Sequence, residues 1–415
     1  MKTEVLVIGA GTAGLTAAVR LAQAGVKVVV VATGAGSLGL APGTLDLLGY
    51  APQVVEDPLG TLPEFVSDLP EHPYARVGVQ HVRPALEWFQ TAVADLGYQG
   101  DLERNRLLPT ALGALRPSAL VPESMAAGEV GPGTRILIAS LRGFRDFFPQ
   151  LVAANLAAAS RGLDVRSLEV EWSGDPSDLA PQRLWRQLEQ PGVRRLLAAS
   201  LRSGLDGAAA VGLPAILGRD QSGDVRRDLE DQIGRPIFEI PTLPPSLPGL
   251  RLFDLLKGAL RRAGGRLVLG ESATGFKAGG GEVVAVTASQ PPRVEEYQAG
   301  TFVLATGGVG AGGIEVTPAR QAREPIFDLP LAGVPRDPQD WFGSDYFAEQ
   351  PFDRAGVRVD RSMRPLDPDG EVIYNNLYVV GAELAGAQPW REKSGEGISV
   401  VTAVRAADAI LEAAR

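Results

Sequence analysis

The sequence predicts an α/β fold in which a parallel-sheet domain is interrupted by a largely helical insertion. Three observations carry that prediction. A strand–helix–strand pattern with glycines at its first turn fills the first 32 residues. Two further strand-to-glycine-turn segments follow, near Gly300 and Asn376. Between the first segment and the second, the spacing of apolar residues changes to that of helices.

Glu4-Val5-Leu6-Val7-Ile8 is a short, almost wholly apolar run, as expected of a strand buried on both faces. Gly9-Ala10-Gly11-Thr12-Ala13-Gly14 follows, then a helix from Leu15 to Ala24 closed by Gly25, then a second buried strand over Val26–Val31. This is a Rossmann-like βαβ unit with G-x-G-x-x-G at the strand-to-helix turn. Gly9 permits the tight turn, Gly11 lets a phosphate approach the backbone, and Gly14 allows close helix–strand packing. Thr12 and Ala13 complete the turn, and the helix N-terminus faces the anion. A dinucleotide fold normally carries Asp or Glu at the end of the second strand, for the adenosine ribose. Here the chain reads Val31-Ala32-Thr33-Gly34, with one hydroxyl, Thr33, and no carboxylate. Either the ribose is held differently or the ligand lacks the adenosine half.

Helices are expected at Pro84–Leu96, Phe144–Ala159 and Arg183–Leu205, with a strand at Arg135–Ala139. Leu250–Ala263 reads as a helix, and Arg266–Leu269 and Val283–Ala288 as strands that lead back to Thr306-Gly307-Gly308. Near the C-terminus, Asn376 to Ala382 repeats the strand-to-glycine design through Gly381, and Gly395-Glu396-Gly397 opens a helix through about Ala414.

Composition narrows the chemistry. There is no cysteine, which excludes disulfides, thiolate metal sites, catalytic thiols and cysteine-ligated iron–sulfur clusters within the chain. With His72 and His81 as the only histidines, no metal site is expected. The net charge of −9 gives no footprint for nucleic acid or anionic lipid. No apolar run approaches the roughly 18–20 residues needed to span a bilayer, and no signal or transit segment precedes the first strand. The expectation is a soluble, cytoplasmic protein.

The glycine turns at Gly9, Gly307 and Gly381, in that order, are similar to the three nucleotide-contacting segments of the two-dinucleotide-binding-domain flavoproteins. In those proteins the last helix points its positive end at the flavin pyrimidine edge, where negative charge develops on reduction. The domain reading is therefore a flavin-binding domain in three segments, 1–50, 250–312 and 371–415. A substrate-side domain is inserted at 51–249, with a further substrate-side segment at 313–370.

Several uncommon strings narrow the family: Gly43-Thr44-Leu45-Asp46-Leu47-Leu48, His72-Pro73-Tyr74, Pro241-Thr242-Leu243-Pro244-Pro245-Ser246, Gly249-Leu250-Arg251-Leu252, Arg323-Glu324-Pro325-Ile326 and Asp345-Tyr346-Phe347. Together they closely resemble the B subunit of the anaerobic glycerol-3-phosphate dehydrogenase, from Lys2 to the C-terminal helix. The resemblance implies oxidation of sn-glycerol 3-phosphate to dihydroxyacetone phosphate, with electrons passed through quinone toward fumarate or nitrate. It implies two partners, a catalytic flavoprotein subunit and an iron–sulfur subunit that anchors the complex to the inner face of the cytoplasmic membrane. It also implies FMN, which suits the missing carboxylate after the second strand, whereas the glycine turn is the geometry for FAD's pyrophosphate. Both non-covalent flavins stay open.

The candidate cofactor contacts are Gly9, Gly11, Thr12, Ala13, Gly14, Thr33, Gly43, Thr44, Thr306, Gly307, Gly308, Gly381, Gly395 and Gly397. Arg251 and Arg323 are candidates for clamping substrate phosphate, and His72 for the base that takes the hydroxyl proton, with Glu383 a further candidate base. The segment Glu383–Gly397 departs from the family pattern: its cysteines are gone, and Glu383, Arg391 and Lys393 stand in their region. Two other readings stay open on that ground, an electron-relay or assembly subunit that does not oxidise substrate and a related flavin oxidoreductase with a different substrate.

Overall fold

A computed structural model describes residues 1–129, 131–160, 162–172, 179, 181–345 and 347–414, so Tyr346 of the Asp345–Phe347 string lies outside the described residues. The chain divides into two compact units, one of Met1–Leu38, Asp46–Asp95 and Phe253–Arg415, the other of Gly39–Leu45 and Leu96–Leu252.

The first unit is built on a five-stranded parallel sheet. Its strands lie in the order Arg266–Leu269, Val28–Ala32, Val5–Ile8, Thr301–Leu304, Leu377–Val379. Val5 pairs with Val28 on one side and Thr301 on the other, so the first strand is central and buried on both faces. Its all-apolar sequence follows from that position, since a polar side chain would meet protein on either face. The helix Thr12–Gln23 packs on the helix Gly395–Ala413. Both are lined with buried alanines (Ala17, Ala18, Ala403, Ala406, Ala407) that let the two backbones approach closely. Arg20 Nε and Asp408 Oδ1, 2.9 Å apart, tie the two helices. An antiparallel meander, Ser272–Gly279, Glu282–Gln290 and Arg293–Gln298, completes the unit and is joined to the N-terminal segment through Thr3 N–H to the Gln298 carbonyl.

The second unit is built on a four-stranded parallel sheet, where the spacing of apolar residues predicts a largely helical domain. Its order is Ile237–Ile240, Ala210–Pro214, Arg135–Leu141, Asp164–Val170. Helices Pro149–Ala159, Pro181–Leu188, Pro191–Arg202 and Ser222–Ile233 accompany the sheet. Ile136, Ile138, Val211, Leu213, Ile237 and Phe238 form the centre of its core. The physical reason for the difference is run length. Ala210–Pro214 and Ile237–Ile240 are short, mostly apolar segments of five and four residues, which periodicity alone does not separate from pieces of buried helix. The single long helix expected over Arg183–Leu205 is two helices, because Pro191 removes a backbone donor and forces Gln190 into an extended conformation. Among the described residues, no helix is long and apolar enough to cross a membrane.

Packing is close at the first glycine turn. An added Cβ on Gly14 would overlap the Gly9 carbonyl oxygen, which is rigid backbone. Gly14→Ala is therefore expected to destabilise the protein by about 1–3 kcal/mol despite alanine's higher helix propensity, as urea denaturation would read.

Candidate flavin site

The C-terminal ends of three adjacent strands carry the site. Ile8 runs into Gly9, whose φ of +111° is open to glycine, and whose added Cβ would overlap the Ala305 carbonyl at the next strand's end. Leu304 runs through Ala305 into Thr306-Gly307-Gly308, where a Cβ on Gly308 would sit 2.7 Å from the Ala382 carbonyl oxygen. Val379 runs through Val380 into Gly381, φ +81°, where a Cβ would sit 2.8 Å from Ala13 Cβ. Gly381 N–H donates to Thr402 Oγ1 of the last helix at 3.0 Å. Each turn thus touches the next, and Gly9, Ala13, Gly14, Thr306, Gly307, Gly308 and Gly381 are brought together as the sequence pattern places them.

Gly11 differs from its neighbours. A Cβ there would meet nothing within 4 Å, so its glycine answers no contact inside the chain and leaves space for a ligand. The N–H groups of Thr12, Ala13 and Gly14 open the helix and have no carbonyl a turn earlier in it to bond. The loop after the second strand returns to the same place, with a Cβ on Gly36 3.0 Å from Gly11 Cα. Thr33 is exposed at the strand end.

Glu383 closes the cradle. It is fully buried in the short 3-10 turn Gly381–Glu383, and its Oε2 accepts the Thr306 hydroxyl at 2.5 Å. Burial pushes its carboxyl well above the usual carboxylate range, against the Thr306 hydroxyl and the Thr306 and Gly307 N–H groups and with Glu324 as a like charge nearby. Its other oxygen, Oε1, is buried with no partner, an arrangement that costs about 1–3 kcal/mol unless a ligand supplies one. An open cradle at Gly11, a helix N-terminus and an orphaned carboxyl oxygen fit a flavin nucleotide, which brings phosphate for the first two and ribityl hydroxyls for the third.

The remaining candidates have other surroundings. A Cβ on Gly397 would overlap the Tyr74 hydroxyl, and its N–H donates to the Asp46 carbonyl at 3.1 Å, so this glycine is a packing residue. Gly395 has only an ordinary 3.5 Å approach to Pro389. Gly43 and Thr44 belong to the second unit, where Gly43 lies against Pro248 and the Thr44 hydroxyl is buried without a partner.

His72, expected as a base, is fully buried with both ring nitrogens engaged. Nδ1 accepts the Tyr74 N–H at 3.2 Å, capping the helix Pro73–Val77, and Nε2 lies 3.2 Å from Glu392 Oε2. Arg251, expected as a phosphate clamp, makes a buried pair with both oxygens of Glu239 and donates twice to the Gly218 carbonyl. Its charge is spent inside the second unit. Arg323 pairs with Glu315 across a two-stranded ribbon and is exposed. The buried charged member of its string is Glu324, whose carboxylate accepts the N–H groups of Ile326, Phe327 and Leu329. Sequence reasoning misses Glu324 because a Glu beside an Arg reads as half of a surface pair.

Glu392 joins the helix Pro73–Val77 to the start of the last helix. It accepts the Ser394 hydroxyl and the Gln388 N–H, both at 2.7 Å, as well as facing His72. Burial raises its carboxyl, but the hydrogen bond and charge of His72, the Gln388 N–H and the Ser394 hydroxyl together hold it below 4.5. A folded-state value below the unfolded one gives stability that is present above pH 4.5 and lost as pH falls through the folded value. Urea denaturation across pH 6 to 3 is expected to show stability falling below about pH 4.5, with a shallower fall in Glu392→Gln. An equal slope in the variant would contradict the assignment.

Comparison with known proteins agrees with the geometry. The family described as FAD binding domain matches residues 4–398. The chain is 38% identical over 435 residues, 100% of its length and 99% of the relative's, to the probable B subunit of the anaerobic glycerol-3-phosphate dehydrogenase of Halobacterium salinarum. It is 33% identical over 99% of both chains to the B subunit of the anaerobic glycerol-3-phosphate dehydrogenase of Pectobacterium atrosepticum. A solved 3-ketosteroid delta1-dehydrogenase from Sterolibacterium denitrificans aligns over 99% of this chain and 100% of its own at 12% identity, with a TM-score of 0.47 that lends no weight to the assignment. The matched family favours FAD over FMN. The three converging glycine turns, the Glu383 cradle and full-length identity above 30% place the chain among the flavin-binding oxidoreductases, in the family of anaerobic glycerol-3-phosphate dehydrogenase B subunits.

Proposed function

We propose that the chain takes part in the flavin-dependent oxidation of sn-glycerol 3-phosphate to dihydroxyacetone phosphate, as the B subunit of an anaerobic dehydrogenase complex. The observation that carries this reading is identity over essentially the whole length with chains named for that activity. The complex would contain a catalytic flavoprotein subunit and an iron–sulfur subunit that attaches it to the inner face of the cytoplasmic membrane. Because this chain has no cysteine, electrons leaving the flavin toward quinone, and on to fumarate or nitrate, need either direct access to quinone or a relay, which such a partner would supply.

Converting the C2 alcohol to a ketone releases two electrons and two protons, and a bound flavin supplies the electron acceptor. The chain's own part is to hold that acceptor. Gly11 and the first-turn N–H groups of Thr12–Gly14 take the phosphates, and Thr306 and Glu383 orient the ribityl side. We assign the second unit, residues 39–45 and 96–252, to the substrate side.

One observation favours a second reading, in which the chain relays electrons without oxidising substrate. His72 and Arg251, the best sequence candidates for base and phosphate clamp, are buried and fully partnered within the chain. Anaerobic addition of sn-glycerol 3-phosphate to the purified, flavin-loaded chain separates the two. Bleaching of the visible flavin band with stoichiometric dihydroxyacetone phosphate is expected. A yellow protein that dithionite bleaches and glycerol phosphate does not would assign substrate oxidation to the partner.

A further inference from the structure

The second strand ends without the carboxylate that a dinucleotide fold uses for the adenosine ribose, and Thr33 at that end is neutral and exposed. The neighbouring strand supplies an acid at the same edge. Arg266–Leu269 runs parallel to Val28–Ala32 with Leu269 opposite Ala32. The chain then bends so that the N–H groups of Gly270 and Glu271 both reach the Ala32 carbonyl, at 2.8 and 3.3 Å. Glu271 therefore stands one strand over from the usual acidic position and level with it.

Its side chain is held but not used up. The hydroxyl of Tyr297, a fully buried residue of the meander strand Arg293–Gln298, donates to Glu271 Oε2 at 2.7 Å. Burial and this bond keep the Tyr297 phenol protonated far above neutral pH, so it remains a donor and Glu271 an acceptor. Glu271 is half-buried, makes no ion pair among the described residues, and has no hydrogen bond to Oε1 there. A carboxylate with one oxygen anchored by a buried donor and the other turned loose at the ligand edge of a parallel sheet is preorganised for a hydroxyl.

We infer that Glu271 is the adenosine-ribose carboxylate of this protein, moved from the end of the second strand to the end of its neighbour, with Tyr297 as its positioning residue. The inference rests on the flavin reading of the site and deepens it. FAD has that ribose and FMN lacks it, so Glu271 would select FAD.

Calorimetric titration of the flavin-stripped full-length protein with FAD and, separately, with FMN tests it. Wild-type protein is expected to bind FAD more tightly than FMN. Glu271→Gln, nearly isosteric, is expected to raise the Kd for FAD by about tenfold or more and leave the Kd for FMN within about twofold, the FMN arm also reporting that the cradle is folded. Tyr297→Phe, which removes only the anchor, is expected to weaken FAD in the same direction by a smaller factor. Unchanged FAD affinity in both variants, or equal losses for FAD and FMN, would overturn the assignment. Wild-type protein that binds neither flavin would instead overturn the reading on which it rests.

Discussion

Three strand ends of one parallel sheet meet so closely that backbone lies against backbone, and that approach is the constraint on which the site depends. Gly9 lies against the Ala305 carbonyl, Gly308 against the Ala382 carbonyl, and Gly381 against Ala13. Each is a place where a Cβ would have to displace main chain or the foot of a neighbouring helix. The wholly apolar strands behind them let the sheet be buried on both faces. The alanine-lined contact between the first and last helices lets the turns converge. Gly11 is the exception that gives the others a purpose, since its glycine is unexplained by any contact in the chain.

A second, polar layer stiffens that apolar frame. Glu383, Glu324 and Glu392 are all buried, and each is answered mostly by backbone N–H groups and hydroxyls rather than by cations. Acceptors so tied rigidify the turns that carry them, at the cost of desolvating charge, and they resist protonation only as far as their donors outweigh burial. Glu392 falls on one side of that balance and Glu383 on the other. The buried Arg251–Glu239 pair does comparable work in the second unit, where losing one partner would strand the other's charge.

Much of the first unit is legible in the sequence because its signals are local. A G-x-G-x-x-G between two buried strands, and two later strand-to-glycine turns, have few structural alternatives. Gly14 meets the Gly9 carbonyl within its own turn, whereas Gly9 and Gly381 are constrained by Ala305 and Ala13, far along the chain, and only their place in the motif marks them in the sequence. Side-chain roles depend on contacts far apart in the chain, and there sequence alone falls short. The cap that His72 Nδ1 makes to Tyr74 is local, but its Nε2 meets Glu392 across 320 residues, and nothing near His72 in sequence announces that second partner. Arg251 finds Glu239 on the strand that precedes its helix, outside its own string, so that string suggests a surface clamp where a buried pair exists. The sheet of the second unit is hidden for another reason: its short apolar strands are spaced by helices and resemble fragments of them.

The central claim is that the open space at Gly11 receives the flavin's phosphates. Purifying Gly11→Val beside the wild-type protein, then measuring flavin per chain by absorbance after acid release together with the circular dichroism melt, tests it directly. The melt is expected to be preserved, because a Cβ at Gly11 meets nothing within 4 Å. Flavin occupancy is expected to collapse, because the same side chain fills the phosphate's place. A Gly11→Val protein that purifies with full flavin would contradict the account.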